Sequence, residues 1–144
     1  MLVNLTLGAL LISATVLIHT VGLVLLSRWM SLIVSWFRLH RHDLGKTVAM
    51  TTTVLGLFVL HTLEIWLWAA VYVGIKAVGS FTDALYYSTV TFSTVGYGDV
   101  VPRPEWRQFA ALESIDGFIL IGWSIAYLIA ASTRHGPFRT GEHF

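Results

Sequence analysis

One stretch decides the reading of this chain: Ser93-Thr94-Val95-Gly96-Tyr97-Gly98-Asp99-Val100-Val101-Pro102. In it Gly96 and Gly98 alternate with bulkier neighbours, and long apolar segments lie on both sides. Glycine takes positive φ at little steric cost, so the alternation permits a backbone that ordinary residues avoid. Taken alone, Gly96-Tyr97-Gly98 is a tight turn. Its surroundings argue against that reading. Non-helical backbone at membrane depth is tolerated only where protein or a water-filled cavity surrounds it.

Outward from this stretch, the composition is that of an integral membrane protein. Hydrophobic residues make up 56% of the 144 residues, charged residues 12%, and mean hydropathy is +0.73. A soluble domain carries about 25% charged residues. The net charge of +1 argues against a nucleic-acid partner. With no cysteine, disulfides are excluded, which says little about compartment.

Three stretches are long enough to span: Leu2 to about Leu26, about Thr47 to Val73, and about Gln108 to Ala131. Roughly 20 apolar residues suffice to cross the hydrocarbon core. The first lacks the basic n-region of a signal peptide and is longer than a usual h-region, so a retained helix is expected. Phe81 to Phe92 is apolar but too short to cross. Arg28, Arg38, Arg41 and Lys46 follow the first span, and Arg134 and Arg139 follow the last. By the positive-inside rule both regions are cytoplasmic and the N-terminus is outside. Lys76, Arg103 and Arg107 fall on the outer side, near Asp83, Asp99 and Glu105. From Ser27 to His42, the residues Trp29, Met30, Ile33, Trp36 and Phe37 recur at helical spacing between Arg28 and Arg38. That pattern fits a membrane-surface helix and equally a cytoplasmic extension of the first span.

Thr94-Val95-Gly96-Tyr97-Gly98 resembles the selectivity filter of potassium channels. The similarity covers about Thr47 to Ala131 and is closest to small bacterial ion-channel-domain proteins. It implies an all-α integral membrane fold: a two-helix pore module of outer helix, pore helix, filter and inner helix, preceded here by one extra N-terminal transmembrane helix. Residues 1–46 then form that helix with its basic linker, 47–131 the pore domain, and 132–144 a short cytoplasmic tail. Phe81–Phe92 becomes the re-entrant pore helix. A potassium ion entering a narrow pore must exchange its water shell for protein oxygens. The resemblance implies that the carbonyls of Thr94, Val95, Gly96 and Tyr97, with the Thr94 hydroxyl, line the ion sites. Gly98 completes the ladder, and Val95 and Tyr97 brace it from behind. One filter per chain implies a homotetramer with the pore on its axis. No arginine-repeat helix is present, so a voltage sensor of the usual kind is not expected. The tail is too short for a soluble ligand-binding domain.

Aligned on the filter, Tyr86 and Tyr87 occupy the positions of the aromatic cuff of related pores, and Val90 falls where some bacterial channels carry a buried glutamate. Asp99 therefore needs another partner, and Tyr86 or Trp106 is expected to donate to it. Interface packing is the simpler account of Trp106.

His61 and Glu64 lie one turn apart within the second span, as do Glu113 and Asp116 within the third. Ionisable groups inside a membrane are costly and are functional candidates by default. His61 and Glu64 are expected to tie the outer helix to the first or third helix, with a proton sensor as the sharper alternative. Glu113 is expected to bond the back of the pore helix, where Ser88, Thr89 and Thr91 offer hydroxyls. Asp116 either does the same or places negative charge around the pore. Gly117 and Gly122 interrupt the inner helix; a gating hinge and close helix packing are both open for each. Ile119, Gly122 and Ala126 are expected to line the pore, with Trp123 facing a neighbouring helix.

The function expected is passive, potassium-selective conduction across the plasma (inner) membrane. It needs no catalytic residue and no cofactor beyond K+ as the permeant ion, and membrane lipid is the only other partner. A weakly selective cation channel, a regulatory homologue and a membrane metalloenzyme are the alternatives. The last is weak: His61-Thr62-Leu63-Glu64 lacks the second histidine of the HExxH motif, and His40 and His42 have no evident third ligand.

Overall fold

The computed structural model describes residues 1–36 and 43–135. The described residues form four α-helices: α1 (Leu2–Trp36), α2 (Asp43–Gly74), α3 (Phe81–Phe92) and α4 (Arg107–His135), the last entered through a 3-10 turn at Pro104–Trp106. At 1.5 Å per residue, α1, α2 and α4 are each about 44–52 Å long. Each is therefore longer than the roughly 30 Å hydrocarbon core. They are the three helices apolar enough to cross a membrane, whereas α3, at 12 residues, spans about 18 Å and cannot.

The buried residues of α1 are Asn4, Gly8, Leu11, Thr15, His19, Leu23 and Met30, one stripe at helical spacing. Polar side chains sit on this inner stripe while Leu10, Leu17, Val21 and Leu25 face outward. The arrangement suits a helix whose outer solvent is lipid. Three glycines on α1 and α2 receive leucines from neighbouring helices: a Cβ at Gly8, Gly22 or Gly56 would lie 2.3–2.5 Å from Leu112, Leu60 or Leu26. Small residues of this kind let membrane helices approach closely. Contacts of α1 with Glu105, Leu112, Asp116 and Tyr127 in ascending order show that it runs parallel to α4, and it runs antiparallel to α2.

α1 continues unbroken to Trp36. Of the two readings of the Ser27–His42 segment, the helical extension holds for its described part; Phe37 to His42 lie outside the described residues.

α2 ends at a Schellman turn. Lys76 takes φ 56°, Ala77 N donates to Tyr72 O (2.9 Å) and Lys76 N to Val73 O (3.0 Å), which together satisfy the last carbonyls. α3 begins where Ser80 caps it. The hydroxyl accepts from Asp83 N (3.1 Å) and donates to Asp83 Oδ2 (2.8 Å), a local bracket that fixes the first turn. The core joins these pieces: Trp68, Tyr72 and Phe109 pack at 5.1–6.1 Å from ring to ring, and Tyr87 meets Tyr72 edge-on at 5.2 Å. The pore-helix candidate is thus clamped between α2 and α4.

Candidate functional site

The segment after α3 carries an alternation of backbone hand. Among the described residues, positive φ occurs only at Lys76, Thr94 (62°), Gly96 (55°) and Gly98 (78°). Val95 and Tyr97 therefore sit between three left-handed neighbours. Alternating hand is the backbone pattern that lets successive peptide groups face one way. A β-strand would instead alternate them. For the two glycines the conformation is cheap. For Thr94, a β-branched residue, it costs about 1–3 kcal/mol, strain of the kind found at functional positions. The strained backbone is pinned from behind: Thr94 N donates to Thr91 O and Gly96 N to Val90 O, both at 2.9 Å.

Residues 93–99 are exposed on the single chain, and Tyr97 is 73% exposed. No side chain among the described residues covers it. Behind the segment lies a hollow of about 370 Å³ lined in part by Tyr87, Val90, Thr91, Val100 and Ala110. Val90 is buried and contributes no acid to it.

Tyr86 and Asp99 meet at the outer end. The Tyr86 hydroxyl donates to Asp99 Oδ2 at 2.7 Å, and this bond holds the Asp99 carboxyl below its ordinary range. Trp106 instead packs edge-on against Phe109 at 6.1 Å. Tyr87, unlike Tyr86, is turned inward and buried against Tyr72.

The carboxylates of α4 point away from its exposed face. Glu113, fully buried, accepts from Ser88 on α3 and from Tyr72 on α2, each at 2.5 Å. Asp116, also buried, accepts from Thr15 on α1 (2.7 Å) and Trp68 on α2 (3.1 Å). The alternative for Asp116, charge presented around a pore, does not match this geometry. One layer further, His61 Nδ1 is 2.8 Å from Glu64 Oε2, and His61 Nε2 is 2.9 Å from Ser124 Oγ. His19 Nδ1 lies 2.8 Å from Glu64 Oε1. Glu64 thus ties α2 to α1, and His61 ties it to α4.

Among the residues not singled out from sequence, His19 and Thr15 were missed because α1 looks featureless when only charge is counted, and Trp68 and Tyr72 because they sit among other apolar residues of α2. The buried stripe of α1 shows the missing signal: Asn4, Thr15 and His19 share one helical face in an otherwise apolar span. His40 and His42 lie outside the described residues.

The two glycines of α4 separate. A Cβ on Gly117 would fall 2.1 Å from the Phe92 carbonyl oxygen and 2.8 Å from its Cα, backbone atoms that cannot turn aside. Gly117 is where α4 packs against the end of α3. Around Gly122 nothing lies within 4 Å. It is exposed with Ile115, Phe118, Ile119, Ile125, Ala126 and Ile129 along one face of α4. Trp123 turns the other way, its ring 5.4 Å from that of His19.

Comparison with known proteins agrees with this architecture. The family model described as "Ion channel" matches residues 5–134, taking in most of α1 as well as the helices around the filter segment. The chain is 30% identical over 106 residues to an inward rectifier potassium channel of Paramagnetospirillum magnetotacticum, covering 69% of this chain and 36% of that one. It is 32% identical over 83 residues to a hyperpolarization-activated voltage-gated potassium channel of Methanocaldococcus jannaschii, covering 57% and 38%. With the two-pore potassium channel 4 of Arabidopsis thaliana it shares 77% of 48 residues, covering 33% and 15%. The chain therefore spans well under half the length of these relatives. No solved structure matches it significantly. The family is one of channels and not of enzymes. With three membrane-length helices and a filter-like segment braced by a short fourth, the chain belongs to the potassium channel pore-domain family of ion channels.

Proposed function

We propose that the protein is a potassium-selective channel that works as a homotetramer, its four Thr94–Gly98 segments facing one another on a central axis. The observation that carries this reading is the alternating backbone hand from Thr94 to Gly98. A threonine held left-handed is hard to explain as a turn, since a turn would place glycine there. It is expected where a row of carbonyls must replace an ion's hydration shell. Thr94, Val95, Gly96 and Tyr97 supply the ion-coordinating oxygens, and Gly98 carries the chain on to Asp99.

Two further features support it. The carbonyl end of α3 meets the start of this segment, and a helix C-terminus carries roughly half a negative charge; four such ends would favour a cation. Tyr97 and the exposed apolar face of α4 are surfaces that neighbouring copies of the chain would cover. In this arrangement Ile119, Gly122 and Ala126 line the inner cavity, Gly122 is the point at which α4 bends, and the N-terminus lies outside the cell membrane. Residues 47–131 conduct, and α1 braces them. The intact filter triplet favours selectivity over weakly discriminating conduction.

The purified full-length protein in liposomes tests the reading. Potassium-driven flux that barium blocks, with no flux on sodium, is the expected result. Equal sodium and potassium flux, or none from particles verified as tetramers, contradicts it.

A further inference from the structure

We propose that His19, His61 and Glu64 form a binding site for a divalent cation of the zinc class, buried where α1, α2 and α4 meet. The three residues each offer one donor atom, and these atoms lie within 4.8 Å of one another. His61 and Glu64 share one face of α2 by their spacing of three, and α1 delivers His19 to the same point. This is the second histidine that the α2 sequence alone lacks. Two imidazoles and a carboxylate are a zinc donor set, with a fourth position left for a hydroxyl or water. Ser124 Oγ, 2.9 Å from His61 Nε2, holds the far side of the His61 ring and so orients it.

A plain hydrogen-bonded tie accounts for only part of the geometry. His19 is fully buried, yet its Nε2 has no partner, and a buried polar atom without a partner is costly. The cation binds at His19 Nδ1, in place of the proton that His19 and Glu64 share, and Nε2–H is then the free end of the ring. Tetrahedral bonds of about 2.0–2.2 Å set donors about 3.4 Å apart, so the 2.8 Å contacts to Glu64 open by about 0.6 Å while the wider pairs, within 4.8 Å, close.

Charge favours a divalent ion. Asp116 interacts electrostatically with Glu64 and His19 and is held by Thr15 and Trp68, each one helical turn from a ligand of the proposed site. A cation beside these buried carboxylates offsets the cost of holding them in apolar surroundings. Imidazole ligands select zinc, cobalt, nickel or copper over calcium and magnesium, which want more oxygens. His61 is 18% exposed at the side chain and borders a groove between α2 and α4 lined by Val54, Leu57, Phe58, Ile121 and Ser124, which gives an ion a way in.

The experiment uses full-length protein in detergent with cobalt(II) as the probe and requires no conduction, so it is independent of the channel reading. One cobalt per chain is expected, with the intense visible absorption of tetrahedral cobalt, displaced by zinc. His19→Gln, which keeps a donor near Glu64, and Glu64→Gln should abolish the band, and Ser124→Ala should weaken binding about 10-fold or more. A variant with His40, His42, His135 and His143 all replaced by alanine should keep it. No tetrahedral band in wild-type protein, or a band that survives His19→Gln and disappears with the four-histidine variant, overturns the proposal.

Discussion

Thr94 shows what a single residue contributes here. Its left-handed backbone is held by the bond from its own N–H to Thr91, and Gly96 is held in the same way by Val90. The chain stores strain at one position and fastens it from the adjoining helix. The Tyr86 bond to Asp99 does similar work at the outer end. Tyr86→Phe removes the donor, so potassium currents of the mutant should inactivate faster than wild type; macroscopic current decay measures this, and unchanged decay refutes a bracing role. The pH dependence has a definite sign. Asp99's carboxyl is lowered in the folded protein by Tyr86's donation. The stabilisation is therefore complete above the ordinary carboxylate pKa of about 4 and is lost as pH falls through the lowered value. Inactivation should be indifferent to external pH between about 5 and 8 and should accelerate only under stronger acid. Gly117 and Gly122 make a second pair of predictions. Gly117→Ala forces a methyl into the Phe92 backbone and should cost about 1–3 kcal/mol of assembly stability in thermal melts. Gly122→Ala meets open space, should stiffen α4 by about 1 kcal/mol, and should shift the open–closed balance in single-channel records. At this scale sequence reading was uneven. Gly96 and Gly98 announced their conformation because glycine is the usual residue for it. Thr94 did not, since its backbone hand is imposed by tertiary bonds and not by its own preference.

At the scale of elements, α3 was the most legible. Its limits, Phe81–Phe92, follow from local chemistry: a serine cap, an apolar run, then glycines. The extent of α1 was not legible. Trp29, Met30 and Trp36 with Arg28 fit a helix lying on the membrane and a helix continuing out of it equally well, and only packing decided. Nor was the inner face of α1 legible by charge, because Asn4, Thr15 and His19 add no Asp, Glu, Lys or Arg to it. These three residues fasten α1 to the pore helices through Glu105, Asp116 and Glu64. Together with the link from Glu113 to Ser88, they form a series of buried polar ties from the extra helix to α3. Thr15→Val takes a donor from buried Asp116 without changing volume much. It should destabilise the folded protein by about 1–3 kcal/mol; thermal melting in detergent is the measure, and an unchanged midpoint would show that the tie contributes nothing.

As a whole molecule, the single chain is incomplete on one side. The Thr94–Gly98 segment and the Ile115–Ile129 face of α4 are uncovered, while the buried polar residues Glu64, Glu113 and Asp116 point away from that face. That asymmetry fits a subunit whose exposed side meets three copies of itself around an axis. Membrane class and helix order were readable from apolar length alone, because the bilayer sets the length of anything that crosses it. How α1 docks was not, because it rests on contacts between residues about 45 to 101 positions apart in the chain. Potassium selectivity is the central proposal, and the reversal potential of the purified protein in a planar bilayer, with potassium on one side and sodium on the other, tests it most directly. The account predicts a reversal potential displaced strongly toward the potassium equilibrium potential, with the displacement abolished by Gly96→Ala, which puts a side chain on a left-handed backbone. A reversal potential near zero in wild-type protein would contradict it.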